Sequence, residues 1–186
     1  MYNCYIKETG KTITIVICDD SSLVTRQITE YLHAYMQTIP TSLQLYSFSD
    51  GHSLISSFQK GNDFDICFLD ILMPGFSGME TAREIRHFNT HTRIIFLTSS
   101  PEYALESYEV RAYDYILKPV TPERMNRLMN EVLKEIKRKH RDSQELLKQF
   151  FTCPMGDEKR WDFIESYFLG REEELETYLM ESSGNC

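Results

Sequence analysis

Short apolar runs alternate along the chain with longer segments in which apolar residues recur every three or four positions. The runs are rich in β-branched and aromatic residues, which predicts strands. They are TITIVIC (12–18), SLQLYSF (42–48), FDICFL (64–69), RIIFLT (93–98) and YDYIL (113–117). The first is apolar almost throughout, as in strands buried on both faces, whereas the second alternates more, as a strand nearer the sheet edge does.

The segments after these runs have the period of amphipathic helices. The second helix covers about 50–59, and the third groups Met79, Ala82 and Ile85. The first helix places five apolar or aromatic residues on one face: Val24, Ile28, Tyr31, Leu32 and Tyr35. A fourth helix is predicted to begin at Ser100-Pro101 and a fifth at Thr121-Pro122, because each pair is a capping residue followed by a first-turn proline. Strands that alternate with helices predict an α/β, doubly wound, five-stranded parallel sheet with helices on both faces.

Composition narrows the class of protein. The 186 residues include 28 Asp and Glu against 20 Lys and Arg, a balance that disfavours broad electrostatic attraction to nucleic acid. The five cysteines are widely spaced, which indicates free thiols in a reducing compartment. No apolar run is long enough to span a membrane, and the first residues lack the apolar core of a signal peptide. We therefore expect a cytoplasmic protein that does not engage a membrane.

Chemically useful side chains follow four of the five predicted strands. Asp19 and Asp20 come after the first strand, Asp70 after the third, Thr98 closes the fourth, and Lys118 follows the fifth. In a parallel α/β sheet these positions lie at one edge, the carboxyl edge, where ligands bind. The sequence therefore predicts a single site at that edge.

The residue types of this site suit phosphoryl transfer. Three carboxylates in one crevice repel one another unless a cation intervenes, and carboxylate oxygens are preferred ligands of Mg²⁺. Lys118 offers a compact positive charge for a carboxylate or a phosphoryl oxygen, and Thr98 offers a hydroxyl donor. These groups would stabilise the charge on a transferred phosphoryl group, with Asp70 as the nucleophile that accepts it.

Other phosphate-binding classes leave marks that this sequence lacks. It has neither a GxxxxGK[ST] loop nor a GxGxxG turn after a strand. Phosphatases related to haloacid dehalogenases place an aspartate two residues after the nucleophile, where this chain has Leu72. Flavin mononucleotide on a flavodoxin-like sheet would be repelled by Asp19 and Asp20.

Each candidate residue also has a structural interpretation. Asp19 and Asp20 could cap a helix, Thr98 could be an ordinary β-branched strand residue, and Lys118 could be a solvated surface side chain. Tyr115 could simply pack within its strand, as most aromatic strand residues do. The joint presence of the acidic, hydroxyl and basic groups at one edge favours the functional interpretation for all but Tyr115.

Four motifs resemble those of the receiver domain of two-component response regulators. They are ICDD, FLDILMPGFSG, FLTSS and YDYILKPV, in the family's order, and the resemblance extends over about residues 12–138. The stretch from Ser99 to Val120 is most similar to receivers of LytTR-type regulators. The resemblance implies the flavodoxin-like fold of chemotaxis regulators, with strand order 2-1-3-4-5.

The resemblance also implies roles in metal binding and phosphorylation. Asp70 would be the phosphoacceptor and a Mg²⁺ ligand, and Asp20 would bind the ion directly. Asp19 would act mainly through a bound water, and the backbone carbonyl of Leu72 would be the third protein ligand. The phosphoryl donor would be a sensor histidine kinase.

Signal output follows from the same resemblance. Lys118 would contact the phosphoryl group, and Thr98 and Tyr115 would form a switch pair. The signal would leave through the face of the fourth helix, fifth strand and fifth helix, at about 101–138, which could also form a homodimer. Receivers are not enzymes in the ordinary sense, because they catalyse only their own phosphorylation and dephosphorylation.

The last part of the chain departs from LytTR-type regulators. We divide the chain into a receiver domain (1–141) and a short, acidic, helical extension (142–186) that carries 11 acidic and 4 basic residues. A β-rich output domain is not recognisable, so specific DNA binding by this chain is not expected. Two further functions stay open: a truncated or remnant LytTR-type transcriptional regulator, and a phosphate sink.

Overall fold

A five-stranded parallel sheet forms the centre of the fold. The computed structural model describes residues 12–152. The strands lie in the order β2-β1-β3-β4-β5, which confirms the predicted doubly wound α/β class. Their bounds are β1 Ile13–Cys18, β2 Leu43–Phe48, β3 Ile66–Leu69, β4 Arg93–Thr98 and β5 Asp114–Leu117.

Burial along the strands explains the apolar patterns. All four residues of β3 are buried, as are five of the six residues of β1. In β2, at the sheet edge, only Leu43 is buried. Central strands are covered on both faces, so they need apolar residues at successive positions, whereas an edge strand needs them on one face only.

Three helices follow β1, β2 and β3 and bury the predicted apolar faces. They are α1 Ser22–Met36, α2 Gly51–Gln59 and α3 Gly78–Phe88. Asp50 caps α2 by accepting a hydrogen bond from the backbone N–H of Ser53 at 2.8 Å. Ser77 and Glu80 form a capping box that satisfies the first backbone N–H groups of α3, so this helix can begin directly after the loop that follows β3.

The predicted fourth helix is wrong. The segment between β4 and β5 (residues 99–113, the connector) contains two 3₁₀ turns, Glu102–Ala104 and Glu106–Tyr108. Two large side chains of this segment, Leu105 and Tyr108, are 81% and 79% exposed. Short helices in water depend on burial of an apolar face, and this segment buries too little to sustain an α-helix.

The last described helix, α4, runs over Pro122–Thr152. Because it continues past residue 141, it confirms that the C-terminal extension begins as a helix. The chain divides into two compact units between Leu128 and Met129, inside α4. The boundary proposed at residue 141 also lies within this helix, and the separate status of 142–186 stays a prediction. Residues 153–186 lie outside the described residues.

Two further expectations concern cysteines and membranes. Cys18 and Cys67 are buried free thiols, and burial raises the pKa of each. The remaining three cysteines lie outside the described residues. Among residues 12–152, no helix combines the length and apolar character needed to cross a membrane.

Candidate functional site

The sheet brings the predicted site residues to its carboxyl edge through backbone hydrogen bonds between strand ends. The Asp70 N–H donates to the Cys18 carbonyl at 2.9 Å, which places Asp70 beside the end of β1. The Lys118 N–H donates to the Thr98 carbonyl at 2.8 Å, which aligns the ends of β4 and β5. The adjacency of these residues thus follows from strand order alone.

Lys118 is hydrogen-bonded to two carboxylates of the site. Its Nζ lies 2.7 Å from Asp19 Oδ2 and 2.8 Å from Asp70 Oδ2. The Asp19 and Asp70 side chains are only 4% and 8% exposed. Burial by itself would lower the pKa of Lys118, but the hydrogen bonds and charges of Asp19 and Asp70 outweigh it and raise that pKa. Lys118 is therefore a charged group of the site, which excludes a merely solvated surface role.

Asp19, Asp20 and Asp70 each offer a carboxylate oxygen within 4.8 Å of the others. One lysine charge cannot neutralise three carboxylates, so the cluster retains negative charge. Such oxygen-rich, negatively charged groups suit a hard divalent cation such as Mg²⁺. Both Asp19 oxygens already accept hydrogen bonds, from Lys118 Nζ and from the Ser21 N–H at 2.9 Å, whereas Asp20 is exposed.

The loop after Asp70 is fixed closely against its own backbone. Asp70 Oδ1 accepts a hydrogen bond from the Leu72 N–H at 3.3 Å, and the Ile71 carbonyl accepts one from the Gly78 N–H at 2.9 Å. A Cβ atom at Gly78 would lie 2.0 Å from the Asp70 carbonyl oxygen. Only glycine permits this approach, so the start of α3 holds the Asp70 backbone in place.

Thr98 and Tyr115 both contact the residue Ser100. Thr98 is fully buried, and its Oγ1 accepts a hydrogen bond from the Ser100 N–H at 3.3 Å. The Tyr115 hydroxyl donates to the Ser100 carbonyl, and its ring lies 6.0 Å from that of Phe96. Burial raises the pKa of Tyr115, and the nearby Glu102 carboxylate raises it further.

Ser100 was predicted only as the cap of a fourth helix, and Glu102 was not predicted to have a role. Ser100 is buried, and its hydroxyl donates a hydrogen bond to the Glu102 carboxylate. The sequence signals for Ser100 are its place in the FLTSS motif and in the capping pair with Pro101, and neither indicates a contact with Glu102.

The sheet order and the acidic edge with its lysine define a receiver-type fold and site. Residues 15–130 match the profile of the response regulator receiver domain. This match covers more than half of the chain, and the chain belongs to the response regulator receiver family of two-component signalling systems.

Individual relatives agree with this assignment. The chain is 31% identical over 138 residues to the transcriptional regulatory protein RprY of Bacteroides fragilis, covering 73% of this chain and 56% of that protein. It is 33% identical over 129 residues to the sensory transduction protein LytT of Oceanobacillus iheyensis, covering 68% and 50%. The crystal structure of the response regulatory domain of MrkE from Klebsiella pneumoniae matches with a TM-score of 0.61 and 27% identity, covering 68% of this chain and 99% of that one.

The aligned chain spans about half the length of the curated relatives it matches. The similarity to LytT agrees with the predicted resemblance to LytTR-type receivers. The similarity lies in the receiver part, so the activities of the whole relatives do not transfer with it.

Proposed function

We propose that this protein is a phosphorylation-controlled switch in which Asp70 accepts a phosphoryl group from a sensor histidine kinase. One observation carries the proposal: the buried Asp70 carboxylate lies 2.8 Å from Lys118 Nζ, in a cluster with Asp19 and Asp20. A nucleophilic carboxylate, a fixed cation and spare acidic ligands are the groups that phosphoryl transfer to aspartate requires.

The transfer forms one bond and breaks another. An Asp70 carboxylate oxygen attacks the phosphorus of a phosphohistidine, and an O–P bond forms as the P–N bond breaks. The electron pair of the P–N bond stays on the imidazole nitrogen. Lys118 already faces Asp70, so its charge can stabilise the phosphoryl oxygens with little movement.

Asp20, Asp70 and the Leu72 carbonyl would hold Mg²⁺ directly, and Asp19 would act through a water. Bound there, Mg²⁺ would neutralise charge on the phosphoryl oxygens. The assignment of direct contact to Asp20 is supported by its exposure.

Output is proposed to run through Thr98 and Tyr115. The Thr98 hydroxyl would donate to a phosphoryl oxygen, and Tyr115 would respond at the neighbouring strand. The surface of the connector, β5 and the first turns of α4, at about 101–138, would then change its affinity for a partner or for a second copy of the chain.

Acetyl phosphate tests the acceptor. With Mg²⁺, we expect the wild-type chain to gain a phosphoryl group in intact-mass spectra and the Asp70→Asn variant to gain none. The control Asp50→Asn changes an aspartate that caps α2 and should be phosphorylated normally. In Asp20→Ala, added Mg²⁺ should no longer increase phosphorylation, because the variant lacks a proposed ligand of the ion. Unchanged phosphorylation of Asp70→Asn would refute the proposal.

A second candidate function is transcription control. It is favoured by one observation: several relatives, RprY among them, are named transcriptional regulators. We expect no sequence-selective DNA binding by this chain, because its acidic balance opposes the phosphate contacts on which DNA affinity depends. Selection from a random DNA pool, with and without beryllofluoride, separates the two functions, since an enriched motif would favour the transcriptional one.

A further inference from the structure

Cys18, the last residue of β1, contacts both ends of the segment that carries two of the proposed Mg²⁺ ligands. Its carbonyl accepts the hydrogen bond from the Asp70 N–H at 2.9 Å. Its thiol, a weak donor, donates to the Met73 sulfur, with 3.7 Å between Sγ and Sδ. The Leu72 carbonyl, a proposed ligand, lies in the chain between these two points. Cys18 therefore contacts the loop on either side of that carbonyl.

Met73 anchors this loop in the core. All residues of the segment 72–77 are described, and Met73 alone among them is buried, whereas Leu72 is 49% exposed. The Met73 side chain belongs to the same buried cluster as Cys18. A side chain in such a closely packed cluster has its position fixed by its neighbours. Met73 therefore ties an otherwise exposed loop to the end of β1.

The Leu72 carbonyl and the Met73 N–H belong to one peptide group, which is planar and rigid. That N–H donates to the Ile71 carbonyl at 3.1 Å, which closes a three-residue turn around Leu72. The orientation of the Leu72 carbonyl thus depends on this hydrogen bond and on the position of Met73. A displaced Met73 would turn the whole peptide group, and with it the proposed ligand oxygen.

We propose that Cys18 and Met73 are positioning residues for the Mg²⁺ site, and that their contact, here called the sulfur contact, holds the Leu72 carbonyl in the orientation that binds the ion. The inference rests on the proposed function, because that function assigns the Leu72 carbonyl as a ligand. Both side chains act through the backbone and not as ligands, since Mg²⁺ prefers oxygen to sulfur.

The physical reason for the effect is preorganisation. Mg²⁺ demands near-ideal octahedral geometry, so a carbonyl that becomes ordered only on binding reduces the affinity by the cost of ordering it. The hydrogen bond between the two sulfur atoms is weak, and the sulfur contact acts mainly through the packing of two buried side chains. Truncation of either side chain leaves space into which the loop can move.

The test is the Mg²⁺ affinity of the full chain without a phosphoryl donor, followed by NMR titration of the backbone amides. We expect Met73→Ala to lower the affinity roughly tenfold, as the loss of supporting contacts around a metal site does. Cys18→Ala removes a smaller group and should lower it roughly threefold. Met73→Leu, which conserves volume, should stay within about twofold of wild type. The double alanine variant should bind about as weakly as Met73→Ala, because both changes remove the same contact.

The matched control is Cys67→Ala. Cys67 is also a buried free cysteine of the same cluster, but it lies within β3. Its truncation leaves the sulfur contact in place, so the Mg²⁺ affinity should stay within about twofold of wild type. Urea unfolding with a chelator present should show similar losses of stability in Cys67→Ala and Cys18→Ala. The comparison separates positioning of the Leu72 carbonyl from a general effect of a truncated core.

Equal losses of Mg²⁺ affinity in Cys18→Ala and Cys67→Ala would overturn the inference. Wild-type affinity in Met73→Ala, or fully additive losses in the double variant, would overturn it as well. In each of these cases wild type binds Mg²⁺, and the proposed function stands. The absence of Mg²⁺ binding by the wild-type chain would instead refute the proposed metal site, and the role of the sulfur contact with it.

Discussion

Replacement of Lys118 by methionine removes the cation that is hydrogen-bonded to Asp19 and Asp70. The change retains much of the apolar stem but leaves two buried carboxylates facing each other without a counter-charge. Hydrogen bonds to charged groups contribute about 1.5–3 kcal/mol each. Lys118 is 18% exposed, so the two contacts are partly screened, and we expect a total loss of about 2–3 kcal/mol.

Urea unfolding with a chelator present measures this loss. In thermal unfolding, a loss of about 2–3 kcal/mol in the free energy of unfolding lowers the melting temperature of a chain of this size by roughly 5–10 °C. The control Lys139→Met removes an exposed lysine that lies 3.5 Å from Glu135, and should change stability by less than about 0.5 kcal/mol. With Mg²⁺ present, the deficit of Lys118→Met should shrink, because a bound cation replaces part of the lost charge.

The pH dependence of this contribution has a definite sign. The hydrogen bonds to Asp19 and Asp70 raise the pKa of Lys118 above its ordinary 10.5. The stabilisation is therefore fully present below pH 10.5 and is lost as the pH rises through the folded-state pKa. A Lys118→Met variant that is as stable as wild type in chelator at neutral pH would refute the reasoning.

Two further substitutions test the local structure around the site. Gly78→Ala should lower the free energy of unfolding by about 1–3 kcal/mol and slow phosphorylation, because its Cβ would lie 2.0 Å from the Asp70 carbonyl oxygen. The control Gly51→Ala, whose Cβ would lie 2.0 Å from the Thr81 hydroxyl, should be destabilised but phosphorylated at the wild-type rate. Equal phosphorylation rates for wild type and both variants would contradict this prediction. Asp50→Ala should lose about 1 kcal/mol in urea unfolding at neutral pH through loss of the α2 cap. The hydrogen bonds from Ser53 lower the pKa of Asp50 below its ordinary 3.8. The stabilisation by this cap is therefore present above pH 3.8 and disappears as the pH falls through the lowered pKa. A stability deficit of Asp50→Ala that persists in acid would argue against the cap.

The sheet was predictable because each strand has a strong local signal. The continuous burial of β1 and β3 requires the apolar runs that mark them. The meeting of Asp19, Asp70 and Lys118 was also predictable, because parallel strands bring their carboxyl ends to one edge. The sequence left two possible partners for Lys118, a carboxylate or a phosphoryl oxygen. In the structure Lys118 contacts carboxylates, those of Asp19 and Asp70.

The connector was not predictable from local pattern. Its capping pair at Ser100-Pro101 predicts a helix, but the form of the segment depends on contacts with residues distant in the sequence. The guanidinium of Arg86 donates to the Val110 carbonyl at 2.7 Å and to the Arg111 carbonyl at 3.3 Å. Tyr115 holds the other end through Ser100. Such nonlocal contacts leave no periodic signal in the segment they shape.

The length of α4 also exceeds what its pattern predicts. Apolar residues recur regularly from Met125 to Ile136 and are buried, whereas the basic run at 137–141 interrupts the apolar face. The helix nevertheless continues to Thr152. Lys, Arg, Glu and Gln are all good helix formers, so intrinsic propensity can extend a helix that a buried face has already nucleated.

Chemical mapping of the phosphorylated residue tests the central claim most directly. After incubation of the wild-type chain with acetyl phosphate and Mg²⁺, borohydride reduces an aspartyl phosphate to homoserine, and peptide mass spectrometry locates the change. We predict homoserine in place of Asp70, in the peptide that carries the FLDILMPGFSG stretch, and at no other aspartate. Reduction at Asp19, Asp20 or any other position, or phosphorylation that leaves Asp70 unmodified, would contradict the assignment of Asp70 as the phosphoacceptor.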